Sequence, residues 1–221
     1  VGLLLAPLLA PPVAALAAGK HVACEKPLAH TLRDARAMKN AAMRARKCRT
    51  FVWYNFRRCP AVALAHRLVK DGRLGRLYHV RASYLQDSGG PAAPLVWRFQ
   101  KKYAGSGAHG DLNAHIIDLA RFITGQEIVE VSGAVAETFI PERPLPARET
   151  RAGIPSAPPA KRPMGKSDVD DCVLFLARFK DGTIGSFEAT RVATGNLNNA
   201  RSGHTATLLT DGRVLAAGGA G

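Results

Sequence analysis

Asp111, His115 and Asp118 stand at positions i, i+4 and i+7 of one segment, Gly110-Asp111-Leu112-Asn113-Ala114-His115-Ile116-Ile117-Asp118. On a helix this spacing places all three on one face. An imidazole with its ordinary pKa near ~6.5 can exchange a proton close to neutrality. A carboxylate one turn earlier can orient that ring or hold a hydroxyl group. Asp111 also suits the first turn of a helix, where the dipole favours an anion. His115 could instead be a satisfied core histidine, and Asp118 reads as structural. The second chemical segment is Glu25-Lys26-Pro27, directly after the apolar run His21-Val22-Ala23-Cys24. Most lysines are solvated surface groups. One held beside a proline at the end of a buried strand is instead a candidate third polar partner of the Asp111/His115 cluster. A metal site built from His109, Asp111 and His115 lacks a convincing further ligand, so no metal is expected.

The elements that must position these groups fall into two runs. A helix ends near Ala18 with Gly19 as its stop, and His21 to Cys24 is a short buried strand. Leu32 to Arg46 is helical, capped by Thr31. Thr50 to Asn55 is a β-branched and aromatic strand, and Ala61 to Lys70 an amphipathic helix. Such alternation predicts the end of a parallel, doubly wound sheet. Asn55 and Arg57 then lie at the carboxyl end of a strand, where open α/β sheets bind ligands. From Arg76 onward strands dominate. Arg76 to Leu85, Ile128 to Thr138, Asp170 to Phe179 and Thr183 to Thr190 are strands, the last two joined by the hairpin signal Asp181-Gly182. Asp111 to Ile123 is a helix stopped by Gly125, and 141–166 reads as a long loop. The fold class is therefore α/β plus α+β: the C-terminal part of a Rossmann-like parallel sheet, then an α+β domain with a mainly antiparallel sheet. The expected divisions are 1–74, 75–197 and a divergent tail at 198–221.

Gly105-Ser106-Gly107-Ala108-His109-Gly110 matches G-x-G-x-x-G, but no hydrophobic strand precedes it and no βαβ pattern follows. It reads as a tight turn leading into the helix of His115 rather than a phosphate cradle.

Composition narrows the classes. Apolar residues make up 47% of the 221, which excludes wholesale disorder. The four scattered cysteines form no C-x-x-C pair, which favours a reducing, cytoplasmic setting over a disulfide framework. The net charge of +14 raises nucleic acid as a partner. The basic clusters Arg44 to Arg49 and Arg57-Arg58 come with no helix-turn-helix, RNA-recognition or zinc-finger pattern, so none is expected. The apolar run Val1 to Ala10 has no basic n-region and is too short to span a bilayer, which takes about 20 residues. It reads as a remnant, with no membrane partner.

Further segments carry a resemblance. They are Ala14 to Ala29 around Glu25-Lys26-Pro27, Tyr54-Asn55-Phe56-Arg57-Arg58, Gly72 to Tyr78, Val96-Trp97-Arg98, Ala104 to Ala108 with the Asp111/His115 segment, and Phe187-Glu188-Ala189-Thr190-Arg191. In this order the chain resembles the glucose–fructose oxidoreductase/inositol dehydrogenase (Gfo/Idh/MocA) family of nicotinamide-dependent sugar and polyol dehydrogenases. The resemblance implies hydride transfer between NAD or NADP and a sugar, polyol or related hydroxy compound. It implies Lys26, Asp111 and His115 as catalytic residues: Lys26 polarises the reacting oxygen, His115 is the base or acid, and Asp111 positions substrate or histidine. Glu25, Lys26, Pro27, Trp97 and Arg98 would approach the nicotinamide half of the cofactor. Asp111, Asn55 and Arg57 would meet the substrate.

The same resemblance implies a Rossmann unit with a phosphate-binding loop ahead of Lys26, where the sequence is too short for a βαβ unit of about 30 residues. A chain truncated at both ends is therefore expected, binding cofactor weakly or not at all. The competing reading is an inactive fragment that acts as an oligomerising or structural module. A homo-oligomer formed through the second-domain sheet is expected in either case. The tail Ala200 to Gly219 resembles one kelch-type repeat, or else a plain hairpin around Asp211-Gly212.

Overall fold

The computed structural model describes residues 10–146 and 162–192 and the strands at 205–208 and 214–217. The first run holds α1 (Ala10–Ala17), β1 (Val22–Cys24), α2 (Leu32–Arg44), β2 (Thr50–Val52) and α3 (Pro60–Lys70). β1 and β2 pair in parallel, Val22 opposite Thr50 and Cys24 opposite Val52. Leu16, Val22, Cys24, Met38 and Ala41 close into one apolar cluster between α1, β1 and α2. The Thr31 hydroxyl caps α2 by accepting from the Asp34 N–H at 3.1 Å. β2 is shorter than its sequence suggests. Its partner ends at Cys24, the Trp53 N–H closes the ladder on the Cys24 carbonyl, and Asn55–Arg58 coil into a 3-10 turn.

The second run is built on β3 (His79–Leu85). A 3-10 turn at Trp97–Phe99 leads to α4 (Lys101–Ala104), a π turn at His109–Asn113 and α5 (Ala114–Thr124). Then come β4 (Ile128–Glu137), β5 (Glu142–Pro144), β6 (Met164–Lys166), β7 (Cys172–Phe179), β8 (Ile184–Thr190), β9 (Thr205–Leu208) and β10 (Val214–Ala217). Six strands form one sheet in the order β10-β9-β3-β8-β7-β4, parallel only between β3 and β8. The mainly antiparallel expectation therefore holds. Along β7 the period of two sends Val173, Phe175, Ala177 and Phe179 inward. They meet Leu112, Ile116 and Ala120 from the site helix, with Val80, Ala82 and Phe187 from β3 and β8. Leu119 and Ile123 of α5 pack on Val62 and Ala65 of α3. α5 is thus wedged between the sheet and the first run of elements, so its N-terminal end faces the turn after β1.

Three sequence readings need correction. The helix expected from Asp111 begins with a π turn, whose extra residue changes the register between Asp111 and His115. The loop read over 141–166 is strand-paired at both ends, Glu142 opposite Lys166 and Pro144 opposite Met164; its middle, 147–161, lies outside the described residues. A kelch-type repeat in the tail is not supported. β9 pairs with β3 and β10 with β9, all antiparallel, so the tail extends the second domain's sheet as a hairpin. The apolar start at 1–9 and the boundary near Asn198 lie outside the described residues.

Candidate active site

Lys26 reaches across from the turn after β1 to the start of the site helix. Its Nζ donates to Asp111 Oδ1 at 2.7 Å and to the Asp111 carbonyl at 2.8 Å. The Lys26–Pro27 peptide is cis. The other Asp111 oxygen, Oδ2, accepts from Arg191 at 3.1 Å. Burial alone would raise the Asp111 pKa, but Lys26 first, then Arg191 and Arg98, hold the carboxyl below its ordinary range. An ammonium has three donors, so two bonds to Asp111 leave one N–H on Lys26 for a ligand oxygen.

His115 sits one element further in, buried among aromatic rings. Phe56 stacks on it at 4.3 Å between centroids, and Tyr54 and Tyr84 flank it at 6.2 Å each. Its Nδ1 is buried without a hydrogen-bond partner, which leaves Nε2 as the nitrogen able to exchange a proton. Burial and the Lys26 charge pull its pKa down to about 4, with Asp111 opposing them. The ring is therefore neutral at pH 7, with a lone pair available but of low basicity. The same depression fixes a pH dependence of stability. Between about pH 6.5 and about 4 the unfolded chain binds the proton and the folded chain does not, so stability falls as the pH falls through this window. The loss expected is about 3 kcal/mol. Asp111, depressed below 3.8, adds its own loss only in still more acidic solution. Urea melts at stepped pH check this, and His115→Phe is expected to flatten the slope between pH 6.5 and 4.

The other expected site residues divide. Trp97 is about half exposed in its 3-10 turn, and the Arg98 guanidinium lies over its indole at 4.5 Å. Glu25 is partly buried at the end of β1. Asn55 is exposed at the start of the turn after β2. The Arg57 guanidinium is engaged by a carboxylate of the chain itself. It forms a two-point pair with Asp118, Nε to Oδ2 at 2.7 Å and Nη2 to Oδ1, and lies over Phe122. Asp118 therefore does not join Asp111 and His115; its 4% exposed carboxylate locks α5 to the turn before α3.

Two supporting residues went unassigned in the sequence. Asp170, just before β7, accepts the Gly107 and His109 N–H groups at 2.7 Å each, and its carbonyl accepts from Ala108. Two N–H groups of the G-x-G-x-x-G look-alike thus already serve an acidic side chain and a third its carbonyl, which argues against a phosphate cradle. A Cβ on Gly107 would stand 1.8 Å from the Asp170 carbonyl oxygen. Gly107→Ala must push this turn off β7, and a loss of at least about 1–3 kcal/mol in denaturant melts is expected, the range for overpacking. Arg191, directly after β8, is the second. Its only sequence signal was a cation closing the run Phe187 to Arg191.

Comparison with known proteins places the chain as a whole. Residues 62–210 match a family model described as the GFO/IDH/MocA C-terminal domain, and residues 11–54 one described as an oxidoreductase family with an NAD-binding Rossmann fold. The first match runs past Asn198, into the segment read from sequence as divergent. The levoglucosan dehydrogenase of Pseudarthrobacter phenanthrenivorans is 46% identical over 187 residues, covering 84% of this chain and 47% of that protein. The 1,5-anhydro-D-fructose reductase of Ensifer adhaerens is 35% identical over 182 residues, covering 79% and 44%. Among solved structures, an oxidoreductase domain protein from Kribbella flavida superposes with a TM-score of 0.77 at 47% identity, covering 93% of this chain and 54% of that one. A levoglucosan dehydrogenase in complex with NADH gives 0.76 at 43% identity, covering 90% and 48%. The chain thus spans about half the length of the relatives it matches. With one family model covering the sheet domain and a second covering the β1–β2 unit that carries Lys26, the chain belongs to the GFO/IDH/MocA family of oxidoreductases.

Proposed function

We propose that this chain carries the catalytic groups of a nicotinamide-dependent dehydrogenase that oxidises a secondary alcohol of a sugar or polyol, reversibly. The observation that carries the reading is the Lys26–Asp111 contact, which joins the two halves of the chain beside a neutral His115. NAD or NADP, when bound, supplies the hydride acceptor and donor. The residues present fit its nicotinamide end. Glu25, Lys26 and Pro27 follow the carboxyl end of β1, where α/β sheets take ligands, and Trp97 with Arg98 offers an open aromatic and cationic surface nearby.

In this reading the third N–H of Lys26 holds the reacting oxygen and stabilises negative charge on it. His115 Nε2 removes the hydroxyl proton, favoured by its neutral state and opposed by its low basicity. Asp111 stays ionised and keeps lone pairs for a neighbouring hydroxyl. Asn55, exposed beyond β2, is a further substrate contact, whereas Arg57 serves Asp118. The unit at 1–74 acts as the cofactor side, and the sheet domain from 75 onward, with its tail hairpin, as the substrate side.

A second copy of the chain is the proposed partner. Val135, Leu174, Leu176 and Ile184 are exposed on the sheet face away from α5. Among the described residues no helix is long and apolar enough to cross a membrane, and all four cysteines are free, which suits a cytoplasmic setting.

The test is spectrophotometric. The purified protein is mixed with NAD or NADP and with levoglucosan, inositols and other cyclic polyols, and nicotinamide reduction is followed. Reduction with at least one of them is expected. No turnover with any, together with no NADH-induced rise in melting temperature, rejects the reading.

A further inference from the structure

Arg191 is 3% exposed and its backbone is fixed on both sides. Its N–H donates to the Asp171 carbonyl at 2.9 Å, and its own carbonyl accepts from Gly89 at 2.8 Å. Gly89 is pressed so closely that a Cβ there would stand 2.7 Å from the Arg191 Cβ. From this base the guanidinium reaches three segments of the site. Nη1 donates to the Arg98 carbonyl at 3.1 Å, and Nη2 donates to the Gly107 carbonyl and to Asp111 Oδ2, both at 3.1 Å. The face of Phe99 lies 5.4 Å away.

A buried cation is costly unless it is paired and hydrogen-bonded. Here its carboxylate partner is Asp111, which already holds Lys26 through its other oxygen. The two cations divide the carboxylate edge by edge, and this fixes the direction in which Lys26 Nζ points. With Arg191 absent, Asp111 could rotate and draw both oxygens onto Lys26. The ammonium would then hold its counter-ion more tightly and present its remaining N–H less well. The same guanidinium ties the turn bearing Trp97 and Arg98 to the glycine turn that opens the site helix.

We propose that Arg191 is a positioning residue for the reaction, holding Asp111 Oδ2 and the two turns so that Lys26 keeps one N–H free for the reacting oxygen. The proposal rests on the dehydrogenase reading for its catalytic meaning, while its geometry can be tested without turnover. The charged groups facing Asp111 are Lys26 from the turn after β1, Arg98 from the 3-10 turn and Arg191 from the end of β8, with Tyr84 and His115 close by.

The experiment is a carbon-detected NMR titration of the Asp111 carboxyl in the whole chain, for wild type, Arg191→Gln and Arg191→Lys. The Asp111 midpoint is expected to rise in Arg191→Gln and to recover in part in Arg191→Lys, which keeps the charge but not the three-way reach. If Arg191→Gln does not fold, Asp111→Asn reads the same contact from the other side: the Arg191 guanidinium signals should shift and lose their protection from exchange. An unmoved Asp111 midpoint in a folded Arg191→Gln, or unmoved Arg191 signals in Asp111→Asn, overturns the proposal. Where the wild type turns over, folded Arg191→Gln should lose about tenfold or more in kcat, the range for losing one charge-assisted hydrogen bond. Wild type without turnover counts against the dehydrogenase reading alone, because the titration still decides the contact.

Discussion

Lys26→Ala is expected to cut turnover by about 10²–10³-fold, the range for removing one donor from a developing oxyanion. The fold should survive. Asp111 loses one cation but keeps Arg191 at 3.1 Å, and Lys26 is not part of an apolar cluster. The stability cost should stay near about 1.5–3 kcal/mol, that of one hydrogen bond to a charged group. The two readouts therefore separate: steady-state rates collapse while the denaturant midpoint moves modestly. Lys26→Arg should not rescue the rate. A guanidinium engages a carboxylate through two parallel N–H bonds and would turn toward Asp111 rather than leave a donor free. His115→Ala should cost about 10²–10⁴-fold, as expected for loss of a general base. The double variant should lose far less than the product of the single losses, because the two groups act on one proton and one oxygen. Rates within a factor of a few of wild type in Lys26→Ala would remove the lysine from the chemistry.

The contact between Lys26 and Asp111 was only partly legible in the sequence. Each segment announced itself locally: a lysine in a turn after an apolar strand, and an aspartate four residues before a histidine. Their juxtaposition across 85 residues follows from α5 being wedged between α3 and the sheet, which no local pattern encodes. The α5 face was misread in detail because a π turn was taken for regular helix. The extra residue rotates Asp111 relative to His115 and Asp118, while Asp118 meets Arg57 and keeps the structural role its reading gave it. The pairing of Arg57 with Asp118 is not legible either, since the two lie 61 positions apart. β3, β7 and β8 are readable from their alternation, because one face of the sheet is packed there and the other open. The loop over 141–166 was not, since three-residue strands carry too little pattern to separate from coil. Asp170 and Asp171 stood in plain view before β7, but adjacent acidic residues in a loop usually mean a solvated turn.

Asp171→Ala is expected to be the most destabilising single change at the edge of the site. Asp171 and Arg143 are both fully buried, with Arg143 Nη2 at 2.7 Å from Asp171 Oδ1. The guanidinium also donates to the carbonyls of Gly89 at 2.8 Å and Gly90 at 3.1 Å and lies 3.7 Å over the Phe99 ring. Burial pulls the Arg143 pKa below its usual value, and Asp171 is the charge that opposes this. Deleting the carboxylate leaves a buried cation without its counter-ion, a loss of about 3–5 kcal/mol. That is a large part of the about 5–15 kcal/mol that holds a domain together. The Ile140 N–H loses its acceptor as well. By contrast, Glu127→Ala, which breaks an exposed pair with Arg121, should cost no more than about 1 kcal/mol. Replacing both buried partners, Arg143→Met with Asp171→Leu, should cost less than Asp171→Ala, since no charge is then stranded. Urea melts of the three variants decide the point. Equal losses in Asp171→Ala and Glu127→Ala would mean that water reaches Arg143 and that the pair does not stabilise the loop behind Asp170 and Arg191. If the loss is as large as expected, Asp171→Ala should also loosen the site, because its carbonyl holds the Arg191 N–H and its neighbour Asp170 holds Gly107. The Asp111 contact to Arg191 then weakens before the sheet itself melts.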